Sequence, residues 1–482
     1  MTPTTARLLL AAASLLPVAR APAQDGVSQA GAALTRAAAR RGIVPPAATF
    51  VVRDILNQRR HDIALPVAAE TLGLDLRFDR PDDLAPGRTV HLQVGVATAA
   101  VGDPTRVPPV SLALAIDCSG SMREADKLER VKQGLVALVA RLRPTDHVAL
   151  IAWSDTAQVV RSGRPVGDGC ELRAAIATLQ GGGSTNLHGG LMSALAELAG
   201  TRNPGGSNRV VLLTDGIANC GIVDPDTIAA DAALLSDAGI DVTTIGFGAD
   251  VQSDLLRRIA ERGRSAFHYV ADDADIAKVF VDEVQSLVTS VARRIRVELE
   301  LDPDLHVLRT FGPAPTEGPV LAFDLEDMGL HASQIALVDL ALRPSVAAKR
   351  RFAVRARLRW VDAATGGARE RTAVASLCGP MGSTLENSVE IPLDGSAFGP
   401  TSGDLEVLRN RAIAELAEGM RAMADACARG DTADAQRRVN FALCLAGADP
   451  RVAGHPDVAT VIATAARFRD LLGPGARVGD DR

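Results

Sequence analysis

The stretch Ile116-Asp117-Cys118-Ser119-Gly120-Ser121-Met122 sets one carboxylate and two hydroxyls at alternate positions, with Gly120 letting the backbone fold between them. Hard oxygen donors on such a loop suit a hard cation such as Mg²⁺. The preceding run, Leu112-Ala113-Leu114-Ala115-Ile116, is wholly apolar and reads as a strand buried on both faces. After it, Leu128, Val131, Leu135, Leu138 and Val139 fall on one face of an amphipathic helix. A tight loop between a parallel strand and its helix is where open α/β sheets place ligands. Two later stretches carry matching chemistry. Gly181-Gly182-Gly183-Ser184-Thr185-Asn186-Leu187 is a flexible loop bearing a hydroxyl ahead of a helical run over 188–200. Val210-Val211-Leu212-Leu213-Thr214-Asp215-Gly216 is a second buried strand that ends in a carboxylate.

Together these stretches resemble the von Willebrand factor A (VWA) domain and its metal-ion-dependent adhesion site. That pattern is D-x-S-x-S, then a Thr in a G-x-T-N-L type loop, then an Asp after an apolar strand. Here it is matched, in order, at Asp117, Ser119, Ser121, Thr185 and Asp215. The resemblance implies that these five side chains bind one divalent cation, Mg²⁺ or Mn²⁺, and that an Asp or Glu of a partner protein supplies a further ligand. The donor chemistry agrees. Mg²⁺ takes about six oxygens and keeps some waters. Ser119, Ser121 and Thr185 are neutral donors, so Asp117 and Asp215 carry the only two charges and leave room for an outside carboxylate. Each loop alone could be a set of N-caps and turns; the three together favour the metal.

The elements that position these residues run from 111 to 289. The pattern predicts strands at 111–116, 147–153, 157–161, 208–214 and 240–246. It predicts helices at 127–141, 170–179, 188–200, 226–238, 253–262 and 274–289. This rhythm gives an α/β doubly wound, Rossmann-like domain over 109–290 with helices on both faces of the sheet. Strand 157–161 follows its predecessor too closely for a crossover and is expected at an antiparallel edge. On either side, 66–108 and 291–395 alternate with a period of two, as in Leu72, Leu74, Leu76 and Phe78 or in Phe352-Ala-Val-Arg-Ala-Arg-Leu-Arg-Trp360. The expectation is one β-sandwich interrupted by the inserted VWA domain; separate small β-modules are the alternative. The chain is similar in this layout to calcium-activated chloride channel regulators and inter-alpha-trypsin inhibitor heavy chains. Residues 24–65 form an N-terminal segment in which 50–57 could be a short helix or strand. Residues 403–472 read as a helical hairpin, 404–429 and 432–447, with Asp431 as N-cap and a third helix over 456–472. Residues 473–482 read as a frayed tail. Arg429-Gly430-Asp431 is read as the helix turn rather than an adhesion ligand.

Composition narrows the function. The 482 residues, 47% hydrophobic and 23% charged, suffice for two or more cores. A net charge of -6 with no basic patch argues against nucleic acid, and 3% aromatics disfavours stacking platforms. Residues 1–23 resemble a secretory signal, with Arg7, an apolar core from Leu8 to Val18, and Ala21-Pro22-Ala23 as a cleavage site. No other apolar run reaches spanning length, so the mature chain is expected to lack a transmembrane segment and to be exported, periplasmic or extracellular. The eight His are scattered, without zinc spacing, and neither a G-x-S-x-G elbow nor a phosphate-binding P-loop is present. Gly246-Phe247-Gly248 reads as a rim turn. His188 reads as a solvated helix start, Asp155 as a turn residue, and Asp272, Asp273 and Asp275 as a helix N-terminus. Of the six Cys, Cys427 and Cys444 are offset too far along antiparallel helices to join. Cys118 and Cys220 follow ligands of one ion on strands that the resembled fold sets side by side. They are a disulfide or, the reading favoured, two free thiols. The expected function is a non-enzymatic binding module; the alternatives are a scaffold whose metal only stabilises loops and a metal-assisted hydrolase.

Overall fold

The strand Val110–Asp117 is buried at every position, as a parallel strand covered by helices on both faces must be. A computed structural model describes residues 30–66, 70–79, 89–99, 109–203, 206–248, 251–270, 290–316, 318, 320–342, 351–378 and 403–472. The expected signal at 1–23, the helix at 274–289, Asp272, Asp273 and Asp275 at its start and the tail lie outside them.

In chain order the elements are α1 (Ala30–Arg41), α2 (Val52–Leu56), β1 (Leu72–Phe78), β2 (Thr89–Thr98), β3 (Val110–Asp117), α3 (Lys127–Val139), β4 (His147–Trp153), β5 (Ala157–Pro165), α4 (Cys170–Ala177), α5 (Leu187–Thr201), β6 (Ser207–Thr214), α6 (Pro225–Asp237), β7 (Asp241–Phe247), α7 (Ser253–Arg262), β8 (Phe267–Val270), β9 (Ala292–Leu301), β10 (Leu305–Phe311), β11 (Pro315–Thr316), β12 (Leu321–Leu325), β13 (Ser333–Leu342), β14 (Arg351–Asp362), β15 (Ala368–Cys378), α8 (Gly403–Ala428), α9 (Thr432–Gly447), α10 (Pro450–Ala453) and α11 (Pro456–Leu471).

The central sheet has the order β5-β4-β3-β6-β7-β8. Every pairing is parallel except β5 on β4, the expected antiparallel edge. The sixth strand, β8, was not expected: four residues, Phe-His-Tyr-Val, are too few to show a period. Helices α3 and α4 cover one face through Leu128, Val131, Leu135, Leu172 and Ile176. Helices α5, α6 and α7 cover the other through Leu191, Leu198, Ile228, Leu255 and Ile259. The approach is close at Gly190, where an added β-carbon would stand 2.6 Å from Cγ of the fully buried Trp153.

Residues before and after this domain form two antiparallel sheets, of which the first takes strands from both sides. One has the order β1-β2-β13-β10, the other β11-β12-β9-β14-β15. In the first, β2 pairs with β13, which follows the α/β domain in the chain, with Val94 opposite Ala336. Leu74, Leu92, Val94, Val297, Phe323, Val354 and Leu358 of the two sheets belong to one apolar core. On β14 the arginines alternate outward and meet acids on neighbouring strands, Arg355 with Glu300 at 3.4 Å and Arg359 with Glu370 at 2.9 Å, cross-strand pairs of opposite charge that favour this register. Strand β10 escaped notice because Val307 and Leu308 are adjacent and both exposed, which breaks the alternation.

Helices α8 and α9 join at Gly430, whose φ of 75° suits glycine, and the Asp431 carboxylate accepts the Asp434 N–H at 2.8 Å, the expected cap. The helices rest on the first sheet through Asn410 Nδ2 donating to Gln93 Oε1 at 2.8 Å. The N-terminal segment fills the angle between them. Phe50 meets Phe468 edge-to-face at 5.4 Å. Asn57 donates to Ile335 O at 3.1 Å and accepts from Ile335 N at 2.8 Å, so its amide pairs with the β13 backbone as a strand residue would. Among the described residues no helix is long and apolar enough to cross a membrane.

Polar groups join the α/β domain to the sheets. Arg209 of β6, 2% exposed, faces Asp241 at 3.4 Å and Asp327 at 3.6 Å, and Arg293 donates to Gly206 O at 2.8 Å. Burial, with Asp241 beside it and against the pull of Arg209 and Arg293, pushes the Asp327 carboxyl up to about 7.

Two outcomes follow from this packing. Gly190→Ala should destabilise the chain by about 1–3 kcal/mol although alanine is the better helix former, because the methyl is driven into Trp153; urea unfolding followed by tryptophan fluorescence measures it. The raised Asp327 carboxyl means the folded chain holds a proton that the unfolded chain has released. Stability should therefore be fullest below the ordinary carboxylate range and fall as pH rises toward about 7. Melting curves from pH 4 to 8 should show that decline in the wild type and a flatter profile in Asp327→Asn.

Candidate metal centre

The five oxygen-bearing side chains singled out in the sequence come together at the C-terminal end of the central sheet. Asp117 is the last residue of β3, and β3 and β6 pair so that Ile116 lies beside Leu213. Thr214 is thereby level with Asp117, and Asp215 is one step past the strand. Asp117 is fully buried; its Oδ1 accepts the Ser119 N–H at 2.7 Å and its Oδ2 the Thr214 hydroxyl at 2.5 Å. Burial pushes its carboxyl up to about 6, against those two hydrogen bonds and with the Asp215 charge adding to the rise. The hydroxyls of Ser119 and Ser121 are 3.0 Å apart, and Ser121 donates to Asp215 Oδ1 at 2.7 Å. The other oxygen of Asp215 accepts from Lys127 Nζ at 2.6 Å.

The third loop is stitched to the first by backbone bonds: Gly120 N–H to Gly183 O at 3.0 Å, and Gly182 N–H to Cys118 O at 2.7 Å. Thr185 is 4% exposed. Asn219 clamps it, accepting the Thr185 N–H on Oδ1 at 2.8 Å and donating its own N–H to Thr185 O at 3.1 Å. Gly216 leaves the centre open: a β-carbon there would stand 3.6 Å from Thr185 Oγ1 and 3.7 Å from Ser121 Oγ. Among the described residues no three His, Cys, Asp or Glu side chains gather as a metal cluster. A cation site here must draw on hydroxyls, and two carboxylates with three hydroxyls fit a hard divalent ion.

Two neighbours take other places. Asp155 Oδ1 accepts the Ser184 N–H at 3.0 Å, a bond to the Thr185 loop that holds its carboxyl below the usual range, so it ties that loop to the end of β4 rather than closing its own turn. His188 is not a solvated helix start. Its Nε2 meets Asp231 Oδ2 at 2.8 Å, and the side chain is 15% exposed. Sequence reasoning passed over Thr214, Asn219 and Lys127. Thr214 could have been found from its place next to Asp215, since a parallel partner strand brings it beside Asp117. Lys127 and Asn219 carry no local signal. The cysteines 118, 170, 220, 427 and 444 are all free thiols, so Cys118 and Cys220 are not joined.

A doubly wound sheet that gathers hydroxyls and two carboxylates from three loops at its carboxyl end defines a class of ligand-binding α/β domain. Residues 111–283 match the model of the von Willebrand factor type A domain, and the chain carries such a domain. Relatives include the uncharacterized protein YfbK of Escherichia coli, 28% identical over 275 residues, which are 55% of this chain and 47% of that protein. Inter-alpha-trypsin inhibitor heavy chain H1 of Sus scrofa is 29% identical over 196 residues, 39% of this chain and 21% of that protein. The chain thus spans about half the length of the first and about a fifth of the second. A solved von Willebrand factor type A protein from Catenulispora acidiphila has the same fold, with TM-score 0.60 at 19% identity over 83% of this chain and 96% of that one.

The thiols provide a check on this region. Cys118 is 4% exposed, and burial, with the Asp117 charge adding, pushes its thiol up to about 12. Iodoacetamide on the native protein at neutral pH should modify the exposed Cys170 and Cys444 and leave Cys118 unmodified until the chain is unfolded. Peptide mapping by mass spectrometry reads the result.

Proposed function

We propose that this chain is an exported, non-enzymatic binding protein. In it Asp117, Ser119, Ser121, Thr185 and Asp215 hold one divalent cation, Mg²⁺ or Mn²⁺, and the Asp or Glu carboxylate of a partner protein completes the shell. The α/β domain is, in this reading, an insertion in a β-sandwich that also bears a C-terminal helical hairpin. The observation that carries the proposal is the convergence of two carboxylates and three hydroxyls at the carboxyl end of β3 and β6. When bound, the cation would supply Lewis-acid attraction for an external carboxylate. The chain's own residues do the rest. Thr214 orients the Asp117 carboxylate, Ser121 orients Asp215, and Asn219 sets the height of Thr185. The loop after Asp215 displays Ile217, Ile222 and Val223, each 42% exposed or more. An apolar rim beside a polar centre suits a protein partner.

The scaffold reading is weaker because backbone bonds between the loops, at Gly120, Gly182 and Asn219, hold them together without a metal. The hydrolase reading needs a general base, and the imidazole three residues after Thr185 is engaged with Asp231.

Asp117→Ala should abolish the heat of Mg²⁺ binding in calorimetry while far-UV circular dichroism stays that of the wild type. Pull-down from an exported fraction should recover a partner with the wild type, lose it on adding chelator, and lose it with Asp117→Ala. Mg²⁺ heat that persists unchanged in the variant would remove these residues from the site.

A further inference from the structure

A cavity of about 600 Å³ lies between the end of the N-terminal segment and the C-terminal helices. Residues 58–62 form one side, and residues 455–460 at the start of α11 form another. Glu406, Arg409, Asn410 and Ile413, three and four apart on one face of α8, form the third. Ile55, Leu56 and Ile413 give it an apolar wall. Among the charged residues that line it, pairing is incomplete. Arg59 is matched by Asp457. Glu406 accepts from Asn410 Nδ2 at 3.2 Å and faces His61 Nδ1 at 3.8 Å, while Arg409 stands 3.7 Å from it. Arg409 Nε is buried without a hydrogen-bond partner, and among the described residues no other carboxylate pairs with this guanidinium. Arg60 has no ion pair among the described residues; it donates to an imidazole, His331 Nδ1, at 3.1 Å. Asp62 is exposed, where water screens its charge. The His455 imidazole feels the resulting field. Burial holds it below its usual range, the Arg409 charge adds to that, Glu406 opposes it, and Arg59 adds again.

We propose that this cavity binds a small organic anion, with its carboxylate or phosphate head on the guanidiniums of Arg60 and Arg409 and its apolar body against Ile55, Leu56 and Ile413. The volume falls within the range of pockets that take small molecules and exceeds what a bare ion fills. A guanidinium presents planar donors that match carboxylate or phosphate oxygens two at a time, and such charge-assisted bonds are about twice as strong as neutral ones. A neutral ligand would leave the Arg409 donors unmet at a cost; an anionic head satisfies them. The apolar wall rewards a hydrocarbon body in the same ligand. The walls come from 55–62 and 406–460, so an occupant clamps the N-terminal segment to the helices and stabilises the fold by mass action. None of these residues lies in the α/β domain, and the inference does not rest on the metal reading.

The test is calorimetric titration of the full chain, at equal ionic strength, with hexanoate, hexyl phosphate, hexan-1-ol and inorganic phosphate. One of the two hexyl acids should bind at least about tenfold more tightly than the alcohol or the bare phosphate, because only the acids carry both head and body. Which acid binds more tightly identifies the head group. Arg409→Met and Arg60→Met keep the alkyl stem and should each weaken that acid about tenfold while leaving the alcohol unchanged. Arg409→Lys, which keeps the charge but not the fork, should fall between. Circular dichroism checks that each variant is folded, and the acid should raise the melting temperature of the wild type more than that of the methionine variants. Three results overturn the inference: neither acid binds the wild type, the alcohol or inorganic phosphate binds as tightly as the acids, or both methionine variants bind the acid as the wild type does. Each of them leaves the metal centre standing.

Discussion

The register between β3 and β6 is the constraint on which the rest of the centre depends. Ile116 beside Leu213 brings Thr214 level with Asp117 and carries Asp215 just past the edge. Side chains alternate faces along a strand, so a slip of one residue would turn the Asp117 carboxylate away from the Thr214 hydroxyl that now reaches it at 2.5 Å. The two carboxylates would then no longer share a site. The helices on both sides bury these strands, and the loops after β3 and β6 inherit their positions from the sheet.

Burying two carboxylates is costly unless each is hydrogen-bonded or paired. Here the offsets are specific. A hydroxyl and a backbone N–H serve Asp117; a hydroxyl and an ammonium serve Asp215. These partners also fix the oxygens in direction.

The surroundings set the direction in which the site faces. The domain is entered at Val110, and the site lies seven residues on at Asp117, about 23 Å along an extended strand. The polar joint of Arg209, Asp241 and Asp327 lies at the entry end, near the start of β6. The two antiparallel sheets, together with the helices stacked on the first, therefore sit behind the domain. The loops with Ser121, Thr185 and Ile217 face away from them. This geometry suits presentation of a site to a second macromolecule.

The sequence alone determined the alternation of the α/β domain, its antiparallel edge strand, strands on either side of it and the five oxygen-bearing side chains that meet at the end of the central sheet. These are local features: burial on two faces makes a strand apolar throughout, burial on one face makes it alternate, and a ligand loop carries its donors within a few residues. What lay beyond local pattern was decided only by the tertiary structure. β8 is too short to show a period, and β10 has adjacent exposed apolar residues that hide one. Lys127 reaches Asp215 across 88 positions of chain, Asn219 clamps Thr185 across 34, and Arg209 meets an aspartate in the loop after β12. Such pairs answer to the charge and burial of groups that meet only when the sheets are assembled, and neither residue of a pair bears a mark of the other in its own neighbourhood. The free state of Cys118 and Cys220 belongs here too. Loops fixed by the same two strands are neighbours, but whether two sulfurs on them can join depends on where each side chain points, and Cys118 is turned into the core against the face that α3 covers.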